Sequence, residues 1–274
     1  MPTDLKSSAK EISKLAKQLG MDIVLVGGLV AEFTTEINDH SPAFPRTRDA
    51  DFAFRAIDWL QFQKLKDELV KQLRFIPDTR VEHRLSKGDL LVDLIPYGPG
   101  IAPTGTLIWP ESKKEFNVMG FDEACAAAEL ARKPGVPRVT ILTIPGFVLL
   151  KILAFLDRKE QNSPKYKTDA AGIYYWLKNY ADDERRFNIP KKETDPEERP
   201  YATAGAVLLG MELKRLASVK ADPFIARFFS IAEMPDNSFI DAVASDRYGE
   251  WSEKIREDLP PLITAFKQGY RSGS

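Results

Sequence analysis

Apolar positions recur along this chain in two rhythms, and the change between them falls near residue 144. Before it, short apolar runs of strand length are interleaved with helical stretches. After it, nearly every segment repeats its apolar residues three and four positions apart. In residues 4–19, Leu5, Ala9, Ile12, Leu15, Ala16 and Leu19 fall at helical spacing with lysines between them; Thr3 and Asp4 can cap the start and Gly20 ends the pattern. Residues 22–26, Asp-Ile-Val-Leu-Val, predict a buried strand that runs into Gly27-Gly28, with a helix over 29–37. A polar, proline-bearing loop over 38–48 leads to Thr47-Arg48-Asp49-Ala50-Asp51-Phe52-Ala53-Phe54, which alternates as a strand does.

A helix is expected over 58–74, with Leu60, Phe62, Leu65, Leu69 and Leu73 among its apolar positions. Two strands, 80–86 and 90–96, follow as a hairpin joined by Lys87-Gly88-Asp89. A Pro/Gly-rich loop over 97–114, a strand over 115–119, a helix over 122–132 and a strand over 139–144 complete this half. Beyond it, helices are predicted over 147–158, 168–180, 202–216, 223–232 and 251–268; residues 181–200, dense in charge and proline, read as a linker or mobile loop. The expected architecture is α/β (α+β): a mixed-sheet domain over 1–144, then a helical domain over 145–274.

Composition narrows the classes of function. A chain of 274 residues with 43% hydrophobic content can bury a sizeable core in one large or two ordinary domains. With 39 basic and 40 acidic residues, any nucleic-acid contact must come from a local patch. The single cysteine, Cys125, excludes an intrachain disulfide and a cysteine-based zinc site, and fits a reducing compartment. With His40 and His83 as the only histidines, a His-rich metal centre is excluded too. The start, Met1-Pro-Thr-Asp-Leu-Lys, lacks a signal-peptide pattern, and Lys151 interrupts the longest apolar run, near 146–156. A cytoplasmic protein with no membrane association is expected.

The candidate chemistry starts at Asp49 and Asp51. On a strand both carboxylates point to one face, while Ala50, Phe52 and Phe54 point to the other. Like charges side by side raise each other's pKa unless a cation lies between them, and a hard divalent ion, Mg²⁺ or Mn²⁺, is the natural occupant. Alternatively, the two acids are simply solvated. Asp93, inside the apolar run Leu90-Leu-Val-Asp-Leu-Ile, would complete a three-carboxylate site able to hold two ions. Gly27-Gly28, at a strand-to-helix corner, can bring backbone close to phosphate. Lys151 lies in an otherwise apolar helix with Arg158 two turns on, and Lys165, Lys167 and Asp169 open the next helix. The cations can reach phosphate or snorkel to solvent, and Asp169 can act as a cap. Tyr174-Tyr175-Trp176 with Tyr180 can stack on a base or fill a core, whereas Cys125 and His83 read as structural.

Val26-Gly27-Gly28-Leu-Val-Ala, Thr47-Arg48-Asp49-Ala-Asp51-Phe and Lys151…Arg158…Lys167-Thr-Asp169, in that order, resemble the AbiEii-type nucleotidyltransferases. These belong to the DNA polymerase beta-like superfamily and include toxins of toxin–antitoxin and abortive-infection systems. The resemblance covers roughly residues 20–180. It implies a mixed-sheet nucleotidyltransferase domain, Gly27 and Gly28 at the nucleotide phosphates, and Asp49 and Asp51 as metal ligands. Asp93 matches the superfamily's third carboxylate, also a metal ligand and the base for an incoming hydroxyl. Lys151 and Asp169 match later family positions, with Arg48, Arg158 and Lys167 beside them as nucleotide-binding candidates. Gly28 stands where the superfamily usually has serine, and Gly172 replaces the family's second aspartate after the Asp169 position.

The implied reaction transfers a nucleoside monophosphate from an NTP to a hydroxyl. RNA or tRNA is the candidate acceptor, Arg46, Arg48, Lys165 and Lys167 a basic rim, and an antitoxin the candidate partner. A nucleotide sensor without turnover, an antibiotic nucleotidyltransferase and a sugar-nucleotide glycosyltransferase remain open beside it.

Overall fold

Four apolar residues in succession form β1 (Ile23–Val26), and all four are buried, as a strand inside a covered sheet requires. The computed structural model describes residues 4–37, 41–45, 47, 49–189, 200–234, 238–245 and 252–273. Arg46, Arg48 and His40, and residues 190–199 of the expected linker, lie outside the described residues. The chain divides into two compact units, Met1–Thr143 and Ile144–Ser274.

The first unit begins with α1 (Leu5–Gln18), capped by the Asp4 carboxylate, which accepts from the Lys6 and Ser7 amides. After β1 come the one-turn α2 (Val30–Phe33), β2 (Asp49–Arg55) and α3 (Trp59–Leu73), the last capped by Asp58. Then follow β3 (Ile76–Pro77), β4 (Arg84–Lys87), β5 (Leu90–Tyr97), β6 (Thr106–Ile108), β7 (Glu115–Asn117), α4 (Phe121–Ala126), β8 (Glu129–Leu130) and β9 (Thr140–Ile141). Seven of these strands form a mixed sheet in the order β3-β4-β5-β2-β1-β9-β8. β2 runs parallel to β5 and antiparallel to β1. Its apolar residues Ala50, Phe52 and Phe54 are fully or almost fully buried, and α1 contacts both β1 and α3.

The expected helix over 122–132 ends early. Despite alanine's helix propensity, Glu129 and Leu130 pair with Ile141 and Thr140 to make β8, so sheet pairing overrides local preference. The 97–114 loop contains β6, which pairs with β7 in a separate two-stranded sheet.

The second unit is helical: α5 (Ile144–Glu160), α6 (Tyr166–Asn179), a 3₁₀ turn (Glu184–Phe187), α7 (Tyr201–Leu216), α8 (Asp222–Ala232), α9 (Ser238–Ala244) and α10 (Ser252–Ser272). Phe155, Phe228 and Phe239 stack edge to face at its centre, with centroids 5.1–6.1 Å apart. α7 and α10 approach through glycine: a Cβ at Gly210 or Gly269 would collide with the backbone of the facing helix. α10 continues through Pro260 and Pro261. Its face of Ile255, Leu259, Leu262, Ile263 and Phe266 stays buried across them, so packing offsets the lost helical bonds. Tyr174, Tyr175, Trp176 and Tyr180 are all buried, which assigns them to the core rather than to a base. No described helix is long and apolar enough to cross a membrane.

Candidate active site

Strand register builds the site. Asp51 on β2 is the direct partner of Asp93 on β5 and of Val26 on β1, and Asp93 is the direct partner of Arg84 on β4. Directly opposed residues point to the same face of a sheet, about 5 Å apart. Arg84, Asp93, Asp51 and Val26 therefore form one transverse row across four strands. Asp49, two residues before Asp51, stands on the same face about 7 Å along the strand. Thr47 fixes the entry to β2: its hydroxyl accepts from the Asp49 amide at 3.1 Å.

The row ends at the glycine corner. Gly27 follows Val26 with φ +70°, and a Cβ there would fall on the Asp51 carboxylate. Glycine is required both by the backbone and by the neighbouring acid. Gly28 is different: a Cβ there would meet the Thr47 side chain at an ordinary 3.5 Å. Gly27→Ala is expected to destabilise the protein by about 2 kcal/mol, from the left-handed backbone and the displaced acid. Gly28→Ala is expected to stay within about 0.5 kcal/mol. Urea midpoints of the two variants provide the check.

Arg84 is the residue that sequence reasoning missed. Its Nε and Nη2 donate to Asp93 Oδ1 and Oδ2, both at 2.7 Å, a bidentate fork. A signal for it existed. β4 and β5 are joined by the two-residue turn Gly88-Asp89, with Lys87 opposite Leu90, and counting back from that turn sets Arg84 opposite Asp93. The hydrogen bond to Asp93 raises the Arg84 pKa above its ordinary value against the effect of burial, and the charges of Asp93, Asp49 and Asp51 add to the rise. His83 flanks the same acid, with Nε2 3.8 Å from Asp93 Oδ2 and its ring stacked on Trp109 at 5.0 Å.

The half-buried Asp49 and Asp51 offer hard oxygen donors. Such a set fits one Mg²⁺ or Mn²⁺ held by two carboxylates, with substrate oxygens and water completing the shell. Asp49, Asp51 and Asp93 share one face as expected, without closing into a three-carboxylate cage. Each Asp93 oxygen accepts one hydrogen bond from Arg84, and no group of three or more His, Cys, Asp or Glu among the described residues is gathered to hold an ion.

Within the second unit, Lys151 on α5 donates through Nζ to Asp169 Oδ1 at 2.7 Å, and Arg158 through Nη1 to Asp169 Oδ2 at 2.6 Å. Asp169 is fully buried. It sits in the first turn of α6, yet its side chain is engaged by these two cations rather than capping the helix. This explains the lysine inside an apolar helix. Gly172, the position of the missing family aspartate, lies against the Lys151 stem. Lys167 is half-buried in the same first turn and Lys165 is exposed. Burial pushes the Cys125 thiol up to about 12, consistent with a packed, unreactive residue.

No protein-family model matches the sequence, and no curated protein matches it. Among solved structures the chain is similar to an antigenic nucleotidyltransferase-like protein from Paracoccidioides brasiliensis. The identity is 17% over 89% of this chain and 94% of that one, with a TM-score of 0.46. It is also similar to the antibiotic-resistance factor ANT(2'')-Ia in its solution structure, at 13% identity over 84% of this chain and 94% of that one, TM-score 0.41. The crystal structure of ANT(2'')-Ia with adenylyl-2''-tobramycin gives 14% identity, 82% and 96% coverage, and a TM-score of 0.40.

Proposed function

We propose that this chain is a metal-dependent nucleotidyltransferase that moves a nucleoside monophosphate from an NTP to a hydroxyl acceptor. The observation that supports this reading is the row itself: Asp49, Asp51 and Asp93 on one face of two neighbouring strands, ending at the Gly27 corner. A divalent cation on Asp49 and Asp51, when bound, supplies Lewis-acid neutralisation of the triphosphate. The Gly27-Gly28 backbone lies next to Asp51 and presents no Cβ to a phosphate approaching the corner. Asp93 keeps a lone pair on each oxygen beyond those used by Arg84, so it can accept the proton of an incoming hydroxyl. The acceptor oxygen forms a bond to the α-phosphorus, the bond to the bridging oxygen breaks, and pyrophosphate leaves with that electron pair. Such chemistry asks the protein for positioning and charge rather than a covalent nucleophile.

The AbiEii-type resemblance supports RNA or tRNA as acceptor, with Lys165 and Lys167 as basic contacts in the helical unit, and a cognate antitoxin as partner. Incubation with each α-labelled NTP, Mg²⁺ and total cellular RNA is expected to label RNA and release one pyrophosphate per transfer. A second reading, a nucleotide sensor, draws on the engagement of Asp93 by Arg84. Nucleotide binding with no product from any of the NTPs would select it. Release of nucleoside diphosphate would point to sugar transfer instead.

A further inference from the structure

We propose that Arg84 occupies the place of a second divalent cation, so that this site binds a single ion, on Asp49 and Asp51, while Asp93 stays outside its coordination shell. The inference rests on the reading that Asp49 and Asp51 hold a cation.

Geometry supports it first. The Arg84 fork covers both Asp93 oxygens at 2.7 Å, and the two residues are direct cross-strand partners in a hairpin closed by a two-residue turn. Their register cannot slip without turning every side chain of the strand to the opposite face. The Asp93 side chain is 11% exposed and that of Arg84 25%. Pulling the guanidinium away to admit a hydrated ion would leave a poorly solvated carboxylate uncompensated in the meantime. His83, stacked on Trp109, stands beside the same carboxylate with Nε2 3.8 Å from Asp93 Oδ2.

Charge supports it independently. Beside Asp93 the Arg84 guanidinium already supplies a full positive charge. A second ion beside Arg84 would place unscreened positive charges side by side in a partly desolvated site. Arg84 thus fixes, without a metal, the positive charge that would otherwise have to be recruited beside the third carboxylate.

The test counts ions on the full-length protein with Mn²⁺ alone as the probe, following free Mn²⁺ by electron paramagnetic resonance. Wild type is expected to bind one ion per chain. Asp51→Asn should weaken that binding by at least ~10-fold, as loss of a ligand requires. Asp93→Asn keeps an oxygen for Arg84 and should weaken binding far less than Asp51→Asn does, since it removes a nearby charge but no ligand. Arg84→Met frees Asp93 and should add a second, weaker ion; if that variant does not fold, the Asp93→Asn arm still decides. Two ions on wild type, no ion at all, or loss of the ion in Asp93→Asn would overturn the proposal. Its failure is separable from failure of the transferase reading. Labelled product with two bound ions removes only the role given to Arg84, whereas one ion with no product removes only the transfer.

Discussion

Under the proposed transferase reading, Asp51→Asn is expected to cut nucleotide transfer by ~10³-fold or more while leaving the fold intact. The Lewis-acid contribution of a bound cation amounts to several kcal/mol, and each 1.36 kcal/mol is about a factor of ten in rate. Asparagine preserves the shape of the side chain, and the strand is held by backbone pairing to Val26 and Asp93, which the substitution does not touch. It also removes one of three acids on a common face, so mutual repulsion falls and stability should change by less than about 1 kcal/mol. The loss should appear in kcat at saturating NTP as well as in kcat/KM, because in the proposed reaction a bound ion would stabilise charge that develops during transfer. Initial rates of labelled-product formation and a urea midpoint on the same preparation measure both halves. An Asp51→Asn protein that is folded and fully active would remove Asp51 from the chemistry.

The parts of this site that could be read in the sequence are those carried by short-range periodicity. Alternation across Asp49–Phe54 gave the acidic face of β2, and the run before Gly27 gave β1 and its corner. What escaped depends on residues brought together by pairing. β3 and β8 have two residues each and β6 has three, so they exist only because a neighbouring strand captures them. Lys151 looked anomalous because its partner lies 18 residues away on another helix. Arg84 hid for a different reason: an arginine in a half-exposed strand is unremarkable until the hairpin register sets it against an acid.

The two oppositely charged clusters give an instructive contrast. In the first unit, among the described residues, the Arg84 guanidinium pairs with Asp93 in a row that also carries Asp51, with Asp49 on the same face. In the second, two cations serve a single carboxylate, and the balance is reversed. Arrangements of the first kind suit a ligand, because the acids of the row are only half-buried. The second kind can hold a helix pair together with no ligand at all, and stability measurements on it should show a large effect.

Asp169→Ala is expected to destabilise the protein by about 3 kcal/mol, toward the lower end of the range for breaking a buried ion pair. The carboxylate is fully buried, and it joins α5 to α6 through two charge-assisted bonds at 2.7 and 2.6 Å. Removing it leaves Lys151 and Arg158 without their anion. Their side chains retain 20% and 31% exposure, so both cations can swing partly into water, which keeps the cost from being larger. Replacing all three members with apolar residues, as Lys151→Met, Arg158→Met and Asp169→Leu together, should recover most of the loss, since no charge is then left buried. Urea unfolding of the single and triple variants, read by circular dichroism, distinguishes the cases. A single variant as stable as wild type would show that the cluster adds nothing to the fold. A triple variant that is stable yet inactive would show that these charges are kept for the reaction rather than for the α5–α6 contact.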